Sequence, residues 1–371
     1  MPDPRDPRGV RHSLTSVLLA AVAAVLAGAR SFTAIGEWVA DAPPQVLAAL
    51  EVRYDPLAHR FEPPGEATIR RVLEAVDAAA LDAAVGCWLA ARLTAGRPQP
   101  GPGRRERQAV AVDGKTVRGT RHASADGQGL HLLAAADQQS SAVLAQAEVD
   151  GKTNEITQFA PLLAPLDLTG AVVTADAMHA QREHAQFLVT EKNAHYILTV
   201  KNNQPTLRAQ LASLPWRQVP AGFDARERGH GRAEWRTLKV TAVAAGIAFP
   251  HAAQAIQIRR RRRPLNGTTR WSAETVYAVT SLAAGQAAPG QLAAWIRGHW
   301  GIEALHHIRD VTYGEDLSQA RTGNGAQVMA ALRNLSVGIL KLSGYHNIAA
   351  ACRYHARDAT RALATLGLTP T

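Results

Sequence analysis

Between Gly96 and Arg105 the chain packs three prolines and three glycines. Neither a helix nor a strand tolerates that density, so the stretch divides the chain. Before it the apolar residues recur at helical spacing, and after it they fall in short β-rich runs. The division predicts an all-α N-terminal domain over residues 1–95, a linker over 96–108 and an α/β domain over 109–371.

In the first part, Leu14–Leu26 reads as one apolar helix. Ser31 is placed to cap a second, which carries Phe32, Ile35, Trp38 and Val39 on one face. Pro44 opens a short helix with Val46, Leu47 and Leu50. A polar loop from Asp55 to Gly65 leads to a helix beginning near Thr68, and Asp77 caps another over Ala78–Leu93. Arg70 and Arg71 suit either a DNA-touching helix-turn-helix or a bundle with solvated arginines. The uncharged stretch Ser13–Ala29 has the look of a signal peptide. It is short and alanine-rich for a membrane span, and the expectation is a buried helix.

Beyond the linker, Ala109–Val112, His131–Ala136 and Ala142–Val149 read as strands. The turn residues between them, at Ala123–Gly129 and Asp137–Ser141, favour antiparallel pairing. A helix Asn154–Leu166, a buried strand Ala171–Thr174, a helix Gln181–Lys192, a strand His195–Val200 and a helix near Pro205–Leu214 come next. A meander that passes into alternating strands and helices predicts a mixed α/β sheet. Residues 220–285 return to strands, at Trp235–Val243, Ala255–Arg262 and Thr275–Thr280, with a turn at Asn266-Gly267. They read as a β-rich insertion. Pro289 starts a long helix containing Glu303, and Ala326–Leu342 forms another.

The formal net charge of +10 and a pI near 10.1 favour a polyanionic partner, for which nucleic acid is the commonest choice. Cys87 and Cys352 stand far apart, in no metal-ligand spacing. The chain is therefore no disulfide scaffold or zinc module, and a cytoplasmic setting with no membrane partner is expected.

Three carboxylates stand out. Asp113 follows Ala109-Val-Ala-Val and precedes a glycine, Asp176 follows Val172-Val-Thr-Ala, and Glu303 lies in the late helix. A carboxylate at the end of an apolar strand calls for compensation by metal or hydrogen bonds. Each alone also has a bland reading: aspartates cap turns after strands, and Glu303 could be solvated. Together they could hold Mg²⁺, which takes hard oxygen ligands, and a pair of such ions is suited to phosphoryl transfer on DNA. Asp310, two turns from Glu303, is the reserve ligand. His299, Glu303 and His307 would share a helix face, but no His-Glu-x-x-His zinc motif occurs. Among cationic groups, the run Arg259, Arg260, Arg261, Arg262 and Arg263 is read as contacting phosphates. Lys115, Arg118, Lys201 and Arg232 are further candidates, and Asn203 is read as a cap for the helix at Pro205.

Six ordered motifs now carry a resemblance that covers residues 13–368. They are Val112-Asp-Gly-Lys-Thr-Val-Arg-Gly, Thr174-Ala-Asp-Ala-Met-His-Ala-Gln, Lys201-Asn-Asn-Gln-Pro-Thr-Leu, His230-Gly-Arg-Ala-Glu-Trp-Arg, Arg297-Gly-His-Trp-Gly-Ile-Glu and Gly314-Glu-Asp-Leu-Ser-Gln-Ala-Arg-Thr-Gly. The sequence resembles DDE transposases of bacterial insertion sequences, in particular the H-repeat-associated (ISAs-type) family. The resemblance implies an RNase H-like catalytic core interrupted by a β insertion, behind an N-terminal helical domain.

It also implies that Asp113, Asp176 and Glu303 bind Mg²⁺, with Mn²⁺ able to substitute and two ions taking part. The implied substrate is duplex DNA bearing the element's terminal inverted repeats, held by a homodimer on paired ends at the nucleoid. Water attacks first, and the freed 3′ hydroxyl then attacks target DNA. Related transposases place Tyr, Arg and Lys around the glutamate where this chain has Ile296, His299 and Asp310. Arg297, His299, Trp300 and Arg309 are taken as the substitute DNA contacts. The competing reading is a catalytically decayed DNA-binding protein.

Overall fold

A computed structural model describes residues 1–96, 107–121, 127, 129–149, 155–229, 231–243, 246–266 and 270–368. Residues 97–106 of the expected linker 96–108, Asp150, Asn154, His230, Gly267 and most of the Ala123–Gly129 turn lie outside the described residues. The chain forms two compact units. The first comprises Met1–Pro102, Gly114–Gln158 and Ile302–Thr371, and the second Gly103–Asp113 and Phe159–Gly301.

In the first unit the chain begins with α1 (Leu14–Leu26), α2 (Phe32–Ala40) and α3 (Pro44–Ala49). A small hairpin of β1 (Tyr54–Asp55) and β2 (Arg60–Phe61) comes next, then α4 (Glu66–Ala75) and α5 (Ala78–Gly96). The Ser13 hydroxyl accepts the Ser16 N–H at 3.0 Å and the Ser31 hydroxyl the Ala34 N–H at 3.2 Å, capping two helices whose first amides have no other partner. From Ala20 to Leu26 α1 is buried all round. That is why it reads as uniformly apolar: it is a core helix, as expected. On α4, Arg70 pairs with Glu66 at 3.3 Å on the surface, and the Arg71 Nε–H donates to the Ala67 carbonyl at 3.0 Å.

The strand β3 (Ala109–Thr116) crosses the division, with Gly114–Thr116 in this unit. It is followed by β4 (His131–Asp137) and β5 (Val143–Val149), which pair antiparallel with a bulge at Ala135/Ala136. Next come α6 (Glu155–Leu163), which also crosses the division, and β6 (Val172–Ala175), α7 (Arg182–Thr190), β7 (His195–Val200) and α8 (Pro205–Ser213). The β-rich region supplies β8 (Phe223–Gly229), β9 (Arg232–Ala242), β10 (Gln254–Pro264) and β11 (Ser272–Thr280). The chain ends with α9 (Pro289–Gly298), α10 (Trp300–Val311), α11 (Gly325–Leu342), α12 (Ile348–Ala356) and α13 (Ala359–Leu366).

The N-terminal helices do not stand apart from the C-terminal ones. Within the first unit α1 packs on α11, α12 and α13, while α5 packs on α11 and β5. A Cβ at Gly86 would fall 2.1 Å from the Leu144 carbonyl oxygen, so only glycine lets α5 rest on the backbone of β5. By length and mean hydropathy (1.2) α5 could also cross a membrane, yet here it carries buried Asp82 into a polar network. The Gln146 and Gln327 amides donate to its two oxygens at 3.0 and 2.9 Å.

Burial pushes the Asp82 carboxyl up to about 7, against the pull of its two amide donors and Arg309. The folded chain therefore holds a proton there that the unfolded chain releases near pH 4. The stability this contributes is complete below that pH and is lost as pH rises towards 7. Asp82→Asn mimics the protonated form. It is expected to gain on the order of 2–4 kcal/mol over wild type above pH 7 and nothing near pH 4. Urea midpoints measured across that range check this, and a difference independent of pH would contradict it.

In the second unit β3, through Ala109–Asp113, heads a sheet with the order β3-β6-β7-β11-β10-β9-β8. β3, β6 and β7 are parallel, and β7 meets β11 antiparallel, Val200 opposite Tyr277. The β-rich region is thus a continuation of the same mixed α/β sheet and forms no body of its own. Part of one face is apolar: Leu238, Ile256 and Ala278 pack with Leu292 of α9. Burying one such leucine is worth about 2 kcal/mol.

Candidate functional site

Two of the three acids fall in the second unit, on neighbouring strands. In the parallel pair β3–β6, Val112 lies opposite Ala175, so Asp113 and Asp176 are the next residue on each strand. Neighbouring strands run about 5 Å apart, so the backbones at Asp113, within β3, and Asp176, just past β6, are neighbours. The expectation that the strand ends at Asp113 is corrected: β3 runs on to Thr116. Asp176 does follow β6 directly and caps a 3-10 turn at Ala177–His179, accepting the Ala177 N–H at 2.6 Å.

The surroundings of Asp176 fix its charge. Burial pushes its carboxyl up, but the Ala177 N–H and the ammonium of Lys201, 3.3 Å away, outweigh it and hold the group below the usual range. It is ionised at neutral pH, as a metal ligand must be. Lys201 follows β7, the next strand of the sheet. The Asn203 Nδ2 donates to the Ala177 carbonyl at 2.5 Å. This corrects the reading of Asn203 as a helix cap, since it ties the loop after β7 to the loop holding Asp176. Thr174, two residues before Asp176, meets Nδ1 of His299 at 3.1 Å and donates to the Val110 carbonyl at 3.4 Å.

His299 therefore does not behave as a phosphate-binding cation. It is part-buried against β6, and burial leads the effects that lower its pKa, so the ring is neutral at pH 7. It also interrupts the expected long helix, closing α9 before α10 begins. Arg297 pairs through both guanidinium nitrogens with Glu227, and Arg232 stands 3.8 Å from Glu234. Trp300 is exposed under the guanidinium of Arg260, 5.1 Å from the ring centroid.

Glu303, exposed on α10, belongs to the first unit. Among the described residues no group of three or more His, Cys, Asp or Glu side chains is placed to hold one metal ion. The structure thus supplies a pair of aspartates in one unit and the glutamate in the other. The pair suits a hard divalent cation, since both groups offer oxygen and Asp176 keeps its charge.

Two expected DNA contacts in the first unit are corrected. The buried Lys115 Nζ lies 2.6 and 2.8 Å from the Asp310 carboxylate oxygens and 3.6 Å from Asp316, so it is spent on an internal ion pair. Asp310, the reserve ligand, is spent on the same pair. Arg309 is fully buried: its Nε–H reaches the Glu315 carboxylate at 2.9–3.0 Å, and Nη1 donates to Gln146 and Asn334. A guanidinium sealed in the core touches no phosphate. Arg118 stays exposed, its backbone N–H donating to Asp316.

An α/β protein with aspartates at neighbouring positions along two parallel strands is the class that fold and site define. The family described as Transposase DDE domain matches residues 104–339, and one described as DDE_Tnp_1-associated matches residues 1–89. The chain belongs to the DDE transposases. "Putative transposase YncI" of Escherichia coli O157:H7 is 28% identical over 363 residues, covering 92% of this chain and 85% of that one. "H repeat-associated putative transposase YhhI" of Escherichia coli (strain K12) is 26% identical over 365 residues, covering 92% and 88%. Among solved structures, a piggyBac transposase synaptic complex with hairpin DNA aligns over 99% of this chain and 76% of that chain. Its TM-score is 0.45 and its identity 11%, a likeness too slight to bear on fold or chemistry.

Proposed function

We propose that this transposase cuts DNA at the ends of its own insertion sequence and joins the freed 3′ hydroxyl to target DNA by direct phosphoryl transfer. The observation that supports the reading is the register of β3 on β6, in which Val112 and Ala175, the residues before Asp113 and Asp176, lie opposite each other. Family membership supplies the substrate class. In this reading the core is RNase H-like, and Asp113, Asp176 and Glu303 hold Mg²⁺ or Mn²⁺. The bound ions would polarise the scissile phosphate and lower the pKa of the attacking hydroxyl or water.

The chain's own residues do the rest. Asp176 stays ionised because Ala177 and Lys201 stabilise its negative charge. Lys201, exposed beside Asp176, is placed to meet a phosphate oxygen. Asn203 fixes the loop that aims Asp176. No residue need form a covalent bond to DNA, because water and then the 3′ hydroxyl serve as nucleophiles. The enzyme would act at the nucleoid in the cytoplasm, as a homodimer on paired ends.

The test is a labelled duplex carrying the element's end, incubated with the chain in Mg²⁺ or in EDTA. Nicking at the element boundary that requires the metal is the expected result. Binding with no nicking in any divalent cation would favour a decayed DNA-binding protein.

A further inference from the structure

The five-arginine run does not act as a unit, because successive residues of a strand point to opposite faces of its sheet. Arg260 and Arg262 lie on the face that carries α9. Arg260 is ion-paired with Glu234, and Arg262 stands 3.3 Å from Glu274. Arg236, opposite Arg260 on β9, shares that face and pairs with Glu234 at 2.8 Å. On this side each of these arginines has a carboxylate partner within the protein.

The other face differs. Register places Arg259, Arg261 and Arg263 of β10 on it, with Arg226 and Arg228 of β8. Among the described residues none of these five forms an ion pair. Trp235 of β9 lies between Arg226 and Arg261 in one cross-strand row, their guanidiniums 4.5 and 4.8 Å from its ring centroid. A ring approached by a cation from each flanking strand holds the two arginines in place and is not offered for base stacking. The one acid on the face among the described residues, Asp224, accepts the Trp235 indole N–H at 2.8 Å. Arginines two residues apart on β10 repeat about every 7 Å, a row of forked donors suited to successive phosphates.

We propose that this face of β8–β10 docks the sugar-phosphate backbone of duplex DNA without regard to sequence. The choice of DNA among polyanions rests on the function proposed above. The unpaired arginines supply the charge complementarity, and the occupied tryptophan argues for backbone over base.

The test measures binding to a labelled duplex of random sequence as a function of salt, with three variants of the full chain. Arg259→Ala/Arg261→Ala/Arg263→Ala is expected to shallow the slope of log K against log salt by roughly 2–3, near 0.9 per lost contact. Arg260→Ala/Arg262→Ala is expected to leave it unchanged. Arg259→Ala alone touches neither an ion pair nor a ring, so it keeps its fold and should lose about 0.9. Equal slopes in all variants, or equal losses in the two multiple variants, would overturn the assignment, as would tighter binding to single-stranded RNA of the same length. If the slopes separate as expected while wild type cuts no DNA, the cleavage reading falls and the docking face stands.

Discussion

Glu315→Gln is expected to cost about 3–5 kcal/mol, enough to leave much of the chain unfolded at 37 °C. Glu315 is fully buried between two fully buried guanidiniums. Arg309 meets both of its oxygens, and the Arg333 Nη1 reaches Oε1 at 3.1 Å. Burial pushes the Glu315 carboxyl up, but the two arginines outweigh it and hold the group below its usual range, so it is the anion of the cluster. From there the network runs through Gln146 and Asn334 to Asp82, joining α10, α11, α5 and β5 inside one unit. An amide in place of the carboxylate would offer one acceptor where two are needed and remove the charge that holds two buried cations. Urea unfolding of wild type and variant reads the loss directly. A change below about 1 kcal/mol would mean that the cluster tolerates the missing charge.

The second large effect is on chemistry. Asp113→Ala, Asp176→Ala and Glu303→Ala are each expected to lower strand cleavage by about 10³-fold or more, equivalent to about 4 kcal/mol of barrier. None should change the unfolding free energy, read by urea titration, by more than about 1 kcal/mol. Asp176 is half-exposed and Glu303 lies on a helix surface, so neither supports the core. Lys201→Ala should cost less, about tenfold, because it removes an exposed ion pair and one candidate phosphate contact. Should Glu303→Ala retain activity while Asp310→Ala loses it, the third ligand would be Asp310 and its pairing with Lys115 would have to open.

Sequence range decides which features were legible and which were hidden. Asp176 was legible because four apolar or small residues before it make an unmistakable buried strand. The end of β3 was not, because Gly114-Lys115-Thr116 reads as a turn until its partners are known. β8 escaped notice for a similar reason: Phe223–Gly229 carries four charged residues among seven, as an outer strand with an exposed face can. The fate of Arg309 could not be read locally, since nothing on its own helix reveals that Glu315, Arg333, Gln146 and Asn334 enclose it. The same limit applies to Lys115 and Asp310, 195 residues apart and bonded. The N-terminal helices form one unit with helices from the other end of the chain, which the proline-rich stretch between them and the next strand does not reveal. Spacing named the acids and the basic run, while pairing decided which arginines remain open to a partner.

The central claim is that Asp113, Asp176 and Glu303 together hold catalytic divalent metal. Mn²⁺ binding to the full chain on an element-end duplex, monitored by electron paramagnetic resonance, tests it most directly. Up to two bound ions per chain are expected, with binding weakened at least about tenfold by Asp176→Asn and by Glu303→Gln alike. Mn²⁺ binding left unchanged by both substitutions would contradict it.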